Sequence, residues 1–136
     1  ALVYLAHHRY ALELVMFVDI SILQPVVVYE NWKRDGGVSG TNKLFSTNKK
    51  FDAIFCFNDL MAAGCYDVLA EKNIVPGKDI SVVGFDNQTV CEYLKPNLTT
   101  MAISLSEIGY EAAKMLLDEN FQNKLIPCKM ILRDSI

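Results

Sequence analysis

Two Asx pairs and a single tryptophan carry the chemistry legible in this chain. Asn58-Asp59 follows the apolar run Phe55-Cys56-Phe57, and Asp86-Asn87 follows Val83-Gly84-Phe85. Amides and carboxylates delivered in this way can hydrogen-bond hydroxyls or ring nitrogens. Trp32, the only tryptophan, stands three residues beyond another apolar run, and a flat ring beside carboxylates suits a sugar face or a base. Arg9 is one of three arginines and its planar fork could take a hydroxyl pair or a carboxylate. Each residue also has a plainer reading: Asn58 and Asp59 as helix caps, Trp32 as core, Arg9 as a solvated surface charge. Asp86 is explained less well by capping, because no amphipathic helix begins directly after it.

Other chemistries are poorly supplied. His7 and His8 are adjacent at a strand end, so they point to opposite faces, and no third metal ligand is close in sequence. The four cysteines, Cys56, Cys65, Cys91 and Cys128, form neither C-x-x-C nor a Cys/His ligand pair, and read as reduced, buried thiols. There is no G-x-x-x-x-G-K-[ST] and no G-x-S-x-G, and Gly36-Gly37-x-x-Gly40 precedes a strand instead of following one into a helix. Cys56 has no predicted basic partner beyond the distant His7 and His8, which makes a Cys-His nucleophile weak. An enzyme using Asp86 as nucleophile or base would want Mg²⁺ or a general acid that the chain does not offer. What remains is a site for polyols or bases, with no catalytic residue, no metal and no cofactor expected.

The elements that must position these residues follow from periodicity. Short apolar runs at 2–6, 26–29, 53–56 and 80–85 read as strands, the first three nearly continuous in hydrophobicity, as strands buried on both faces should be. A helix capped by Asn58 or Asp59 runs to about residue 72, with Leu60, Gly64, Val68 and Leu69 on one stripe and Asn73 as its left-handed stop. A helix over 36–45 is weakened by three glycines, and 9–18 is helical by position. Ser104-x-x-Glu107 has the pattern of a capping box opening a helix to about 119, with Leu105, Ile108, Ala112, Met115 and Leu116 as its stripe, and 126–132 reads as a strand. The β-α-β-α alternation implies an α/β fold with a parallel sheet flanked by helices. Ligands bind such sheets outside the carboxyl ends of the strands, where Trp32, Asn58 and Asp86 all fall.

Composition agrees with a folded chain. Of 136 residues 51% are apolar and 21% charged, with 7 Gly and 4 Pro, which excludes disorder and collagen-like repeats. The net charge of −3 provides no footprint for nucleic acid or anionic lipid. No apolar run approaches a membrane span, and the first residues lack a Lys/Arg-led signal-peptide pattern. The length suits one domain, yet the start at Ala1 inside an apolar run reads as a piece of something longer.

Three blocks resemble the LacI/GalR family of transcription regulators: Phe51-Asp-Ala-Ile-Phe-Cys-Phe-Asn-Asp-Leu-Met-Ala-Ala-Gly64, Val75-Pro-Gly-Lys-Asp-Ile-Ser-Val-Val-Gly-Phe-Asp-Asn87 and Leu98-Thr-Thr-Met101, with the close Ile131-Leu-Arg-Asp-Ser135. The resemblance implies a periplasmic-binding-protein-like lobe, the C-terminal part of an effector-binding domain whose helix-turn-helix headpiece and N-terminal lobe are not in this sequence. It implies that residues 1–100 belong to the C-terminal lobe, that the helix over 104–120 would pack on the N-terminal lobe, and that 126–136 return. Carried over by position, Asn58 and Asp86 would hydrogen-bond a sugar or nucleobase-like effector, Trp32 would stack on it and Arg9 would grip it. At Arg9 the family's Arg-x-x-Gly-aromatic pattern departs, since Leu12 stands where the glycine would, and the interval from Ala6 to Arg9 is short. The expected parent is a cytoplasmic, non-enzymatic homodimer that meets DNA only through the headpiece and has no membrane partner. The alternative is a periplasmic sugar-binding protein of a transport system, which shares the fold.

Overall fold

A computed structural model describes residues 2–6, 26–119 and 121–136. Six strands among them form one sheet: β1 (Leu2–Ala6), β2 (Val26–Tyr29), β3 (Ala53–Cys56), β4 (Ser81–Asp86), β5 (Thr99–Ala102) and β6 (Lys129–Ile131), in the order β2-β1-β3-β4-β5-β6. The first five run parallel and β6 is antiparallel to β5. Parallel neighbours need crossover connections, and helices provide them: α1 (Arg34–Ser46) between β2 and β3, and α2 (Asp59–Glu71) between β3 and β4. A single helical turn, α3 (Val90–Tyr93), lies between β4 and β5, and α4 (Leu105–Leu117) follows β5.

α2 forms where the sequence demands it. It is rich in Ala, Leu and Met, strong helix formers, and the Asn58 side chain accepts the Met61 N–H at 2.8 Å as its N-cap. It ends at Asn73, whose φ is +56°; Asn73 N–H donates to Ala70 and Ile74 N–H to Leu69, the paired bonds of a Schellman stop. Its inner face buries Met61, Ala62, Cys65 and Leu69 against Ile54, Cys56 and Val82 of the sheet. Each large apolar side chain removed from water here contributes about 1.5–3 kcal/mol. Leu60, expected on this stripe, is instead exposed.

α1 is longer than its expected 36–45, and its glycines explain why. A Cβ on Gly37 would fall into the Met61 carbonyl, and one on Gly64 into the Arg34 carbonyl, so the α1 and α2 backbones meet at a glycine-to-glycine crossing. Close packing outweighs the poor intrinsic propensity. The bidentate pair of Arg34 with Asp67, at 2.6 and 2.7 Å, ties the same two helices at the surface.

Several expectations are corrected. The strand expected over 80–85 is shifted by one residue, and that over 126–132 contracts to β6. β5 occupies a segment not expected as a strand. It gains its edge from the tail: Ser135 Oγ donates to the Val82 carbonyl at 2.6 Å and accepts Thr99 N–H at 2.8 Å. Ser104 begins α4 without a side-chain cap bond, so the capping box does not form. Cys56, Cys65 and Cys91 are buried free thiols, but Cys128 is exposed. The helix expected over 9–18, with His7 and His8, lies outside the described residues.

Candidate functional site

The sheet changes direction between β1 and β3. From β1 the chain goes out to β2 on one side, then returns across β1 to β3 and on to β4. Such a switch point opens a crevice at the carboxyl ends of the strands. Trp32 follows β2, Asn58 follows β3 and Asp86 ends β4. β3 and β4 are paired in parallel, Phe55 beside Val83, so Asn58 and Asp86 leave the sheet at the same edge, although the depression beside Asp86 is lined by neither Asn58 nor Trp32. Arg9 lies outside the described residues.

Trp32 and Asn58 are brought together. Asn58 Nδ2 donates to the Trp32 carbonyl at 2.9 Å while its Oδ1 caps α2. The Trp32 ring meets Phe57 edge-on, 5.3 Å between centroids at 89°, and stays 40% exposed. It is therefore a half-open platform and not core. Asn58 is itself buried, and both of these bonds go to protein groups, so part of its work is to fix the tryptophan.

Asp86 sits in unusual backbone. Its φ is +103° and that of Asn87 +55°, a region where non-glycine residues are uncommon and strained. Burial pushes its carboxyl above the usual carboxylate range; the Gln88 side chain, donating to Oδ2 at 3.2 Å, pulls the other way, and the nearby Asp59 charge adds to the rise. Among the described residues Oδ1 accepts no hydrogen bond, and Asp86 lines an open depression of about 660 Å³ together with Gln88, Ile103 and Leu105 among others.

Asp59 does something the sequence does not announce. It is fully buried; Oδ1 accepts the Thr100 hydroxyl at 2.6 Å and Oδ2 the Gln88 N–H at 2.6 Å. A Cβ on Gly84 would collide with Oδ1, so the glycine before Phe85 makes room for this carboxylate. Thr100 and Gln88 lie 41 and 29 positions away in sequence, and only the neighbouring glycine hinted at the approach. Arg133, from the tail, donates to the Leu98 carbonyl at 2.8 Å and to Asn87 Oδ1 at 3.0 Å. Burial drives the Cys56 thiol well up, and burial with an Asp59 hydrogen bond pushes Cys91 up to about 12, so neither of these two buried thiols is activated. Among the described residues no His, Cys, Asp and Glu cluster suits a metal, and no helix is long and apolar enough to cross a membrane.

A mostly parallel sheet that carries Trp32, Asn58 and Asp86 at the carboxyl ends of its strands has the architecture of a periplasmic-binding-protein-like region. The family described as periplasmic binding protein-like domain matches residues 21–136. The chain belongs to that family, as the kind of effector-binding region found in LacI/GalR regulators. It is 33% identical over 99 residues to the HTH-type transcriptional repressor PurR of Vibrio cholerae serotype O1 (strain M66-2), covering 73% of this chain and 30% of that protein. It is 36% identical over 93 residues to the HTH-type transcriptional regulator GalR of Escherichia coli (strain K12), covering 68% of this chain and 27% of that protein. The solved structure of a LacI family transcriptional regulator from Enterococcus faecalis V583, with bound ribose, superposes with a TM-score of 0.84 at 25% identity, over 98% of this chain and 53% of the other. The matched stretch thus spans less than a third of the length of these curated relatives.

Proposed function

We propose that this chain is the effector-binding and dimerisation portion of a LacI-like transcriptional regulator, binding a small sugar or nucleobase-like ligand that controls DNA binding by a helix-turn-helix domain elsewhere in the protein. The observation that carries the reading is Asp86: a half-buried carboxylate in left-handed backbone at the strand edge, with one oxygen directed to no described partner. Trp32 supplies an apolar platform, Asn58 holds that platform and can present its remaining N–H, and Arg9 grips a hydroxyl or carboxylate. The site binds without turnover, in a cytoplasmic protein. The regulator relatives and the ribose-bound neighbour support this class of ligand.

In the same reading, residues 1–100 and 126–136 form the C-terminal lobe and the helix over 104–120 packs on an N-terminal lobe. The protein pairs as a homodimer, and exposed apolar side chains such as Leu60 and Tyr93 are available to that contact. A ligand shifts the regulator between DNA-binding and released states only through its different affinity for the two. Calorimetric titration of the full-length protein with a panel of sugars and nucleosides, repeated for Asp86→Ala, tests the proposal. Unchanged affinity in the variant would remove Asp86 from the site.

A further inference from the structure

The turn that presents Asp86 does not hold itself. Two consecutive non-glycine residues, Asp86 and Asn87, have positive φ, and such backbone persists only where surrounding structure enforces it. Enforcement comes from outside the turn. Gln88 N–H donates to Asp59 Oδ2 at 2.6 Å, Asn87 N–H donates to Thr100 Oγ1 at 3.4 Å, and the Thr100 hydroxyl donates in turn to Asp59 Oδ1 at 2.6 Å. Asp59 is the common member of these three, while Arg133, donating to Asn87 Oδ1 at 3.0 Å, adds one restraint that does not pass through it. Capping does not account for it, because Asn58 already caps α2. A buried carboxylate is also costly unless its oxygens are satisfied, and both of these are satisfied by groups that fix the turn.

We propose that Asp59 is the positioning residue of the site: by accepting from Gln88 N–H and Thr100 Oγ1 at once it fixes the Asp86–Asn87 turn, and so sets ligand affinity without meeting the ligand. This rests on the reading of Asp86 as a ligand contact. The geometry separates position from charge. In Asp59→Asn the remaining carbonyl oxygen can keep the Gln88 N–H, while the Thr100 hydroxyl turns round to accept from the new NH₂. In Asp59→Ala both bonds vanish.

The test uses the full-length protein, with D-ribose as the titrated probe and hydrogen exchange of the Asn87 and Gln88 amides as a readout that needs no ligand. Asp59→Ala weakens ribose binding by about tenfold, the scale of a lost charged hydrogen bond, and speeds exchange at both amides by a similar factor; Asp59→Asn restores both. Thr100→Val and its rescue by Thr100→Ser form a second pair that decides the matter if Asp59→Ala does not fold. A folded Asp59→Ala with unchanged exchange at Gln88 overturns the proposal, and so does Asp59→Asn behaving like Asp59→Ala, since charge and not position would then be responsible. If Asp86→Ala binds ribose as the parent does, the reading of Asp86 fails, while the exchange data still decide whether Asp59 holds the turn.

Discussion

At Asp86 stability and ligand binding pull in opposite directions. Burial raises the carboxyl above its ordinary range, so folding favours the protonated acid. Its contribution to stability is complete below the unfolded value of about 3.9 and is lost as pH rises through the higher folded value. Asp86→Asn removes that loss, and Asn tolerates the left-handed backbone as well as Asp does. Thermal melts should therefore show the variant gaining on the parent as pH rises from about 3.5 to 7, while its ligand affinity falls by about tenfold or more. A melting difference independent of pH would contradict the burial argument. Trp32→Ala should lower the melt modestly through loss of the edge-on Phe57 contact, about 1 kcal/mol, and weaken binding by about tenfold through loss of the stacking face; equal calorimetric affinities would disqualify it as the platform. Asp86 and Trp32 were legible because strand ends and a lone tryptophan are local features. The double role of Asn58 was half legible, as a cap, whereas its bond to the Trp32 carbonyl and both carboxylate hydrogen bonds of Asp59 depend on residues 26 to 41 positions away.

Glycines in α1 show how an element can be misjudged from propensity. Each weakens an isolated helix by up to about 1 kcal/mol relative to Ala, yet Gly37 and Gly64 are where α1 and α2 touch backbone to backbone. Gly64→Ala gains propensity and loses the crossing; overpacking of this kind commonly costs about 1–3 kcal/mol, so a lowered melting temperature is expected, and an unchanged or raised one would mean the helices can separate freely. α2 itself was readable to within a residue at each end, since its cap, composition and stop all lie in its own sequence. β5 was not, because a short Thr-Thr strand is defined by what pairs with it, and its partners are β4 and the returning tail. Ser135→Ala checks that dependence: it leaves the Val82 carbonyl and Thr99 N–H without their buried partner, at about 1–3 kcal/mol for each group so stranded, and denaturant unfolding should register the loss.

Across the whole molecule the apolar surface is unevenly distributed. The α1–α2 side of the sheet is a closed core, whereas α4 has no buried residue, and Leu105, Ile108 and Leu116 of its apolar stripe all stand in solvent. Single exposed hydrophobes need no explanation, but a contiguous set marks a surface that is covered in the working protein or drives association. Under the proposed organisation that cover is the N-terminal lobe, so the same side chains should behave in opposite ways in two contexts. In the 136-residue chain alone α4 should self-associate or exchange its amides quickly, and Ile108→Ser with Leu116→Ser should shift light scattering toward monomer. In the full-length protein the pair should be destabilising by about 2–5 kcal/mol, as loss of buried apolar side chains is, with the melt lowered and the oligomeric state retained. A monomeric isolated chain with uniform amide protection through α4 would show that the helix completes its packing within these residues, and the two-lobe assignment would then have to be abandoned.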